Sequence, residues 1–263
     1  METIVDKEKL PKPILKHFDK MTEIIQIILG HSNDYVYKCI TQKKVMYLKT
    51  SEKGNLLKKE YQNIKWLHNK IPVPNIIEWV YENGISYLLM SEIPGKMLCD
   101  EFYLGNPEIT ISILADGLKL LHSIDITNCP INSCLDIRLR NATKNIENGQ
   151  INLDDWKSNN EKFLTPNALL DYLKDNKPEK EELSFSHGDY CLPNVFGEGM
   201  EIAGFIDLGY AGIADKWEDI STCLRSIRRN LQTDEYDELL LKKIGIPINY
   251  EKIEYYDLLN ELL

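Results

Sequence analysis

Two different apolar periods run through the first part of the chain. "DYVYKCI" (34–40) and "VMYLKT" (45–50) are rich in β-branched and aromatic residues, and the polar "TQKK" between them predicts a hairpin connection. "NLLKKEYQNIKWLHNK" (55–70) repeats instead at three to four residues, through Leu57, Tyr61, Ile64 and Leu67/His68, which is the period of a helix. "IPVPNII" ends that helix, and "ISYLLMSE" (85–92) is again an apolar strand. "IPGK" then interrupts both periods and reads as a linker.

Beyond the linker the helical period dominates. "PEITISILADGLKLLHSI" (107–124) is amphipathic, and "TPNALLDYLK" (165–174) opens with Thr165 as N-cap and Pro166 at the first helical position. "ELSFSH" (182–187) alternates like a strand, and "NVFGEGMEIAGFIDLG" (194–209) reads as a hairpin about its Gly-rich turn. Three further helical segments follow near 215–229, 233–243 and 250–261. A β-rich lobe, a linker and a helical lobe holding one hairpin predict an α+β class rather than alternating βαβ units. The expected division is a small N-lobe over 1–92 and a larger C-lobe over 93–263.

Composition narrows the function more than the fold. The 263 residues are 43% hydrophobic and 27% charged, ordinary values for a globular chain with a sizeable core. A net charge of −10 argues against nucleic acid or an anionic membrane as partner, since either needs a basic face, and is compatible with a cationic small ligand. The six cysteines form no C-x-x-C pair, and the apolar run "IIQIIL" (24–29) is too short for a signal core or a span. The expectation is a cytoplasmic protein, a monomer or weak dimer.

The chemistry concentrates in "FSHGDYCLPNVF" (185–196) and "GFIDLG" (204–209). His187-x-Asp189-x-x-x-x-Asn194 followed by Asp207-Leu-Gly209 matches the catalytic and metal loops of kinases. A phosphoryl acceptor needs a carboxylate, Asp189, to orient its hydroxyl and take its proton. An amide oxygen one loop-length on, Asn194, and a carboxylate returned by the hairpin, Asp207, suit Mg²⁺, which favours few hard oxygen ligands and keeps its waters. Any of these residues alone would serve equally as a helix cap or turn former. A second piece lies in "VMYLKT", where Val45, Tyr47 and Lys49 share one strand face. A lysine turned inward needs a partner charge, and Glu60 lies on the apolar stripe of the next helix, as in the ion pair that positions phosphates in kinases. No G-x-x-x-x-G-K-[ST] is present, and the turn that would cover the phosphates, "LGHSNDY" (29–35), carries Ser32 and a single glycine. His31, His68 and His122 lack metal-like spacing, and nothing marks Cys191 as an activated thiol.

Taken together, "VYKC", "YLK", Glu60 to Trp66, "KIPVPNII", "LLMSEIPG", "LLHSIDITNCP", "SFSHGD", "GFIDLG", "ADKWEDISTCLRSIR" and "YYDLLNELL" resemble the aminoglycoside 3'-phosphotransferases. These stretches run in order from about residue 35 to the end of the chain. The resemblance implies a bilobal protein-kinase-like fold and transfer of the γ-phosphate of ATP, with GTP as the other candidate donor, to an antibiotic sugar hydroxyl, the 3'-hydroxyl. It implies Asp189 as catalytic base, Asn194 and Asp207 as magnesium ligands, and Lys49 with Glu60 on the α- and β-phosphates. Tyr47 would stack on adenine above Ile206, near Met90, with the backbones of Ser91 and Ile93 on the base edge and Ser32 over the phosphates. His187 would brace the loop.

On the acceptor side the resemblance implies carboxylates for a polycationic sugar, here Asp154, Asp155, Glu161, Glu261 and the carboxylate of Leu263. The chain departs from the pattern at Tyr210, where relatives often show Arg, at Arg229 and Asn230, where an acid is often found, and at Asn260. Exchanging a carboxylate for Arg at about 4 Å from a bound ammonium turns an attraction into a repulsion worth a few kcal/mol. The expectation is therefore a narrowed acceptor range. Two other readings share the motif: a kinase for a metabolite alcohol or sugar, and a nucleotide-binding pseudokinase.

Overall fold

The computed structural model describes residues 10–27, 35–52, 55–151, 156 and 162–263. The chain forms two compact units, Met1–Gly95 with Ala203–Tyr210, and Lys96–Ile202 with Ala211–Leu263.

The first unit is built on α1 (Lys12–Leu15), β1 (Glu23–Ile27), β2 (Tyr35–Ile40), β3 (Val45–Ser51), α2 (Asn55–Leu67), β4 (Ile76–Glu82) and β5 (Ile85–Ser91). Its five strands make one antiparallel sheet in the order β1-β2-β3-β5-β4. Side chains alternate across it. Met46, Leu48, Cys39, Tyr87 and Leu89 face one side, where they close a core with Leu10, Ile14 and Ile24. Tyr47 and Lys49 face the other, opposite Met90 and Leu88 across the β3–β5 ladder. That second side is where α2 lies, bringing its buried stripe of Leu57, Ile64 and Leu67 and stacking Tyr61 on Trp79 at 4.8 Å.

The strand β4 was not legible from the hydrophobic pattern. "IIEWVYE" is half-buried along most of its length and carries a bulge between Ile76 and Glu78, so neither strict alternation nor a continuous apolar run marks it. The apolar segment at 24–29 contributes β1. The helix expected over 55–70 stops at Leu67, and Asn69 turns the chain at φ 66°.

The second unit contains β6 (Lys96–Met97), α3 (Glu101–Leu104), α4 (Pro107–His122), α5 (Leu135–Glu147), α6 (Pro166–Asp175), β7 (Leu183–Ser186), β8 (Val195–Glu198), the first two residues of β9 (Glu201–Phe205, of which 203–205 belong to the first unit), β10 (Gly212–Asp215), α7 (Lys216–Leu231), α8 (Asp237–Ile244) and α9 (Tyr250–Asn260). Its helices pack chiefly as α7 against α9 and α4 against α8. Thr165 caps α6 through its hydroxyl, which accepts from the Ala168 N–H, with Pro166 following as expected. β7 pairs antiparallel with β10 and carries the chain to its buried end at Ser186. No helix among the described residues is long and apolar enough to cross a membrane.

Gly117 shows how tightly this unit is closed beneath that end. A Cβ at Gly117 would stand 2.1 Å from the Tyr190 hydroxyl, which donates to the Leu114 carbonyl at 2.9 Å. Gly117→Ala gains about 1 kcal/mol of helix propensity but overpacks a fixed aromatic by about 1–3 kcal/mol, so the clash wins. The expected outcome is a melting temperature lowered by several degrees in a calorimetric scan. An unchanged or raised value would show that Tyr190 moves aside.

Candidate active site

In the first unit the decisive geometry surrounds Lys49. Its ammonium sits 2.7 Å from Glu60 Oε1 on α2 and 3.1 Å from Asp207 Oδ1. Lys49 is 12% exposed and Glu60 5%, whereas Asp207 is half exposed. Burial alone would lower the pKa of the lysine, yet the two carboxylates outweigh it and hold Lys49 above its ordinary value. The lysine is therefore a permanent cation, and its second carboxylate is the one that remains open to solvent.

Asp207 reaches this position at a backbone cost. Its φ is 60°, in the left-handed region that a residue bearing a Cβ enters at about 1–2 kcal/mol. The turn is held by Asn63 on α2, fully buried, which donates through Nδ2 to the Leu208 carbonyl at 2.8 Å. At Gly209 an added Cβ would meet Leu56 at 2.9 Å, so only glycine lets the turn lie against α2.

Of the residues expected at the nucleotide base, Tyr47 lies on the same sheet face as Lys49, with Met90 opposite it. Tyr47 is half-buried directly opposite Met90, its hydroxyl 3.5 Å from Glu92, with Lys38 on the neighbouring strand 6.0 Å over its ring. Ser91 donates its N–H to the Asn75 carbonyl at 2.9 Å, and its hydroxyl accepts from the Asn75 N–H. Ile93 is buried against Gly204, and Ile206 is half-buried two residues further on. Ser32 lies outside the described residues.

In the second unit β7 delivers the loop that carries Asp189. Asn194 Nδ2 donates to the Asp189 carboxylate at 2.9 Å and to its carbonyl at 3.0 Å, so the two residues the motif singles out are joined directly. The loop closes on itself through Cys191 N–H to Asp189 O and Asn194 N–H to Cys191 O, around the short 3₁₀ turn Leu192–Asn194. Ser226 on α7 accepts from the Leu192 N–H at 3.0 Å. His187 is fully buried, its ring edge-on to Tyr190 at 6.0 Å, in a bracing position.

What aims the loop is Asp219, which the motif did not single out. This fully buried carboxylate, in the first turn of α7, accepts from the Ser186 hydroxyl (2.9 Å), the His187 N–H (2.7 Å) and the Gly188 N–H (2.9 Å). Gly188 itself has φ 79°, a conformation glycine adopts without strain. Asp219 lies inside "ADKWEDIS", but on an amphipathic helix a lone acid reads as solvated until the tertiary fold turns it inward.

Each unit carries one side chain with the oxygen chemistry that magnesium takes. Asn194 spends its amide nitrogen on Asp189, which leaves its oxygen as the end available to a hard cation. Asp207 offers a solvent-accessible carboxylate, and both are oxygen donors of the kind Mg²⁺ takes. Among the described residues no three His, Cys, Asp or Glu gather into a cluster that could hold a metal ion.

The expected acceptor residues are partly accounted for. Asp154, Asp155 and Glu161 lie outside the described residues. Glu261 is bound by Arg225 at 2.5 Å, with Asp257 also 3.9 Å from that guanidinium. Burial raises the Asp257 pKa against the pull of Arg225. The Leu263 oxygen accepts from Asn145 at 3.2 Å, Asn260 donates to Thr222, and Arg229 and Tyr210 are exposed.

Replacing Asp219 by Ala strands two buried donors, the Ser186 hydroxyl and the His187 N–H, each costing about 1–3 kcal/mol, while the Gly188 N–H keeps Ser186 Oγ as an acceptor. The expected result is a loss of at least about 2 kcal/mol in urea unfolding. Asp219→Asn, which keeps one acceptor oxygen, should fall between this variant and the parent. A variant as stable as the parent would show that water replaces the carboxylate.

Comparisons with known proteins identify the family. Residues 23–256 match the model of a phosphotransferase enzyme family. An aminoglycoside 3'-phosphotransferase of Enterococcus faecalis is 39% identical over 259 residues, covering 95% of this chain and 97% of the relative. One of Niallia circulans is 34% identical over 91% of this chain and 92% of its own. Among solved structures, the aminoglycoside-3'-phosphotransferase of type VIII superposes with a TM-score of 0.82 at 25% identity, over 92% of this chain and 94% of that one. With a family model matched over residues 23–256 and relatives of 34–39% identity covering more than nine-tenths of its length, the chain belongs to the aminoglycoside 3'-phosphotransferases of the phosphotransferase enzyme family.

Proposed function

We propose that this protein transfers the γ-phosphate of ATP to the 3'-hydroxyl of an aminoglycoside. The observation that carries the reading is the Asp189–Asn194 pair on a loop anchored by buried groups. Asp189 accepts the sugar hydroxyl's proton as that oxygen bonds to phosphorus, while the bond from phosphorus to the ADP oxygen breaks. Lys49, kept cationic by Glu60, neutralises charge on the nucleotide phosphates. Asn194 and Asp207 hold magnesium, which supplies further charge neutralisation when bound. Catalysis of this kind is positioning and electrostatics, so the rigidity of the loop is itself part of the machinery.

The base would rest against Tyr47, Met90 and Ile206, with the Ser91 carbonyl and the Ile93 backbone on its edge and Ser32 over the phosphates. Asp154, Asp155, Glu161, Glu261 and the Leu263 carboxylate would receive the ammonium groups of the acceptor. ATP as donor and cysteines carried as thiols favour a cytoplasmic setting.

The acceptor range is narrowed in this reading. Glu261 is already neutralised by Arg225, and Arg229 adds an exposed cation on the same helix. A polycationic sugar must displace the internal guanidinium or bind without that carboxylate.

Steady-state kinetics with kanamycin, neamycin and a 3'-deoxy analogue test the assignment. Turnover with the first two and none with the third is expected. Equal turnover with the deoxy sugar would overturn the 3'-position, and activity only towards simple alcohols or sugars would favour a metabolite kinase. Asp189→Ala should cut kcat by about a hundredfold or more, with nucleotide binding in calorimetry largely kept. Undiminished kcat would remove Asp189 from the chemistry.

A further inference from the structure

Arg138, one turn into α5, and Glu218, in the first turn of α7, are 3% and 2% exposed. The guanidinium Nη2 donates both to Glu218 Oε1 and to the Gly188 carbonyl, the latter at 3.0 Å. That carbonyl belongs to the peptide group whose nitrogen is the Asp189 amide. The next residue on α7, Asp219, takes the N–H of the same glycine and of His187. Two neighbouring acids at one helix end therefore grip consecutive peptide groups of the loop. Asp219 takes donors directly, and Glu218 reaches an acceptor by way of Arg138.

Stability alone does not account for this arrangement. Taking two charges out of water costs about what their attraction returns, and a well-packed apolar pair of similar volume is often as stable or more so. What an apolar pair does not supply is a donor to the Gly188 carbonyl, which points inward because Gly188 sits at φ 79°. An arginine suits the task, because its rigid planar guanidinium is always charged and is pre-organised to hydrogen-bond a carboxylate and a carbonyl together. Glu218 holds the fork in place and balances its charge.

We infer that Arg138, with Glu218 as counter-ion, is a positioning residue for phosphoryl transfer: it fixes the rotation of the Gly188–Asp189 peptide plane and hence the aim of the Asp189 carboxylate. The inference rests on the reading of Asp189 as proton acceptor. It assigns the pair an effect on kcat rather than on nucleotide affinity, because neither residue is among the groups that hold the nucleotide.

The test compares Arg138→Lys and the double variant Arg138→Met/Glu218→Met with the parent. Each is followed by thermal unfolding, by steady-state kinetics with kanamycin and ATP, and by hydrogen exchange of a peptide covering 186–194. The double variant is expected to melt only a few degrees below the parent, since both charges leave together and the remaining loss is the donor to the Gly188 carbonyl. In both variants kcat should fall about tenfold to a hundredfold, as for a misaimed catalytic group, while KM for ATP stays within about twofold. Exchange across the loop should accelerate. A folded variant with parental kcat and parental loop exchange overturns the inference, and Arg138→Lys decides alone if the double variant does not fold. Should the parent transfer no phosphate to any aminoglycoside, the functional reading falls. Loop exchange in Arg138→Lys then still decides on the clamp, unchanged protection overturning it.

Discussion

A single buried carboxylate, Asp219, sets the conditions for the rest of the second unit. An ionised group with no solvent access is tolerable only when its lone pairs are filled, and here a hydroxyl and two consecutive amides fill them. In satisfying Asp219 the chain between β7 and the 3₁₀ turn loses its freedom to rotate. The helix that carries the acid has its first turn beneath the loop, where backbone N–H groups favour negative charge. Loop, strand end and helix start become one rigid piece, and Asp189 is displayed from it.

The two units solve the same problem with opposite signs. In the second, buried anions organise amide donors; in the first, a buried cation, Lys49, gathers Glu60 and Asp207. In each case a charge that would be expensive alone is retained through its partners, and the partners lie on different elements. The strained backbone at Asp207 belongs to the same economy of constraint, since Asn63 and Gly209 hold a turn that the residue would not choose by itself. The groups proposed to meet phosphate are thus over-determined by their surroundings, as electrostatic catalysis would require.

The cluster proposed to face the acceptor is organised less tightly. Arg225, Glu261 and Asp257 balance one another at a partly exposed surface, where ion pairs contribute little to stability. Such pairs exchange partners at low cost, so this region can trade an internal guanidinium for a ligand ammonium.

The sequence by itself determined the kinase-like motif, the Lys49–Glu60 pairing and most of the element order. Those features are local: an inward lysine on a strand and an inward glutamate on the following helix declare themselves through alternation and period, and the Asp189–Asn194 spacing is fixed by one short loop. β4 and α5 escaped notice, the first because a bulge breaks its alternation and the second because its apolar stripe is sparse, with only Leu135, Leu139 and Ala142 buried beside Arg138. Only the tertiary structure decided which acids of α7 turn inward. Glu218 and Asp219 look like any solvated first-turn pair until β7 and α5 bring a row of amides and a guanidinium against them. Spacing along a chain can specify which groups are neighbours within an element, whereas burial of a charge depends on what distant segments supply to compensate it.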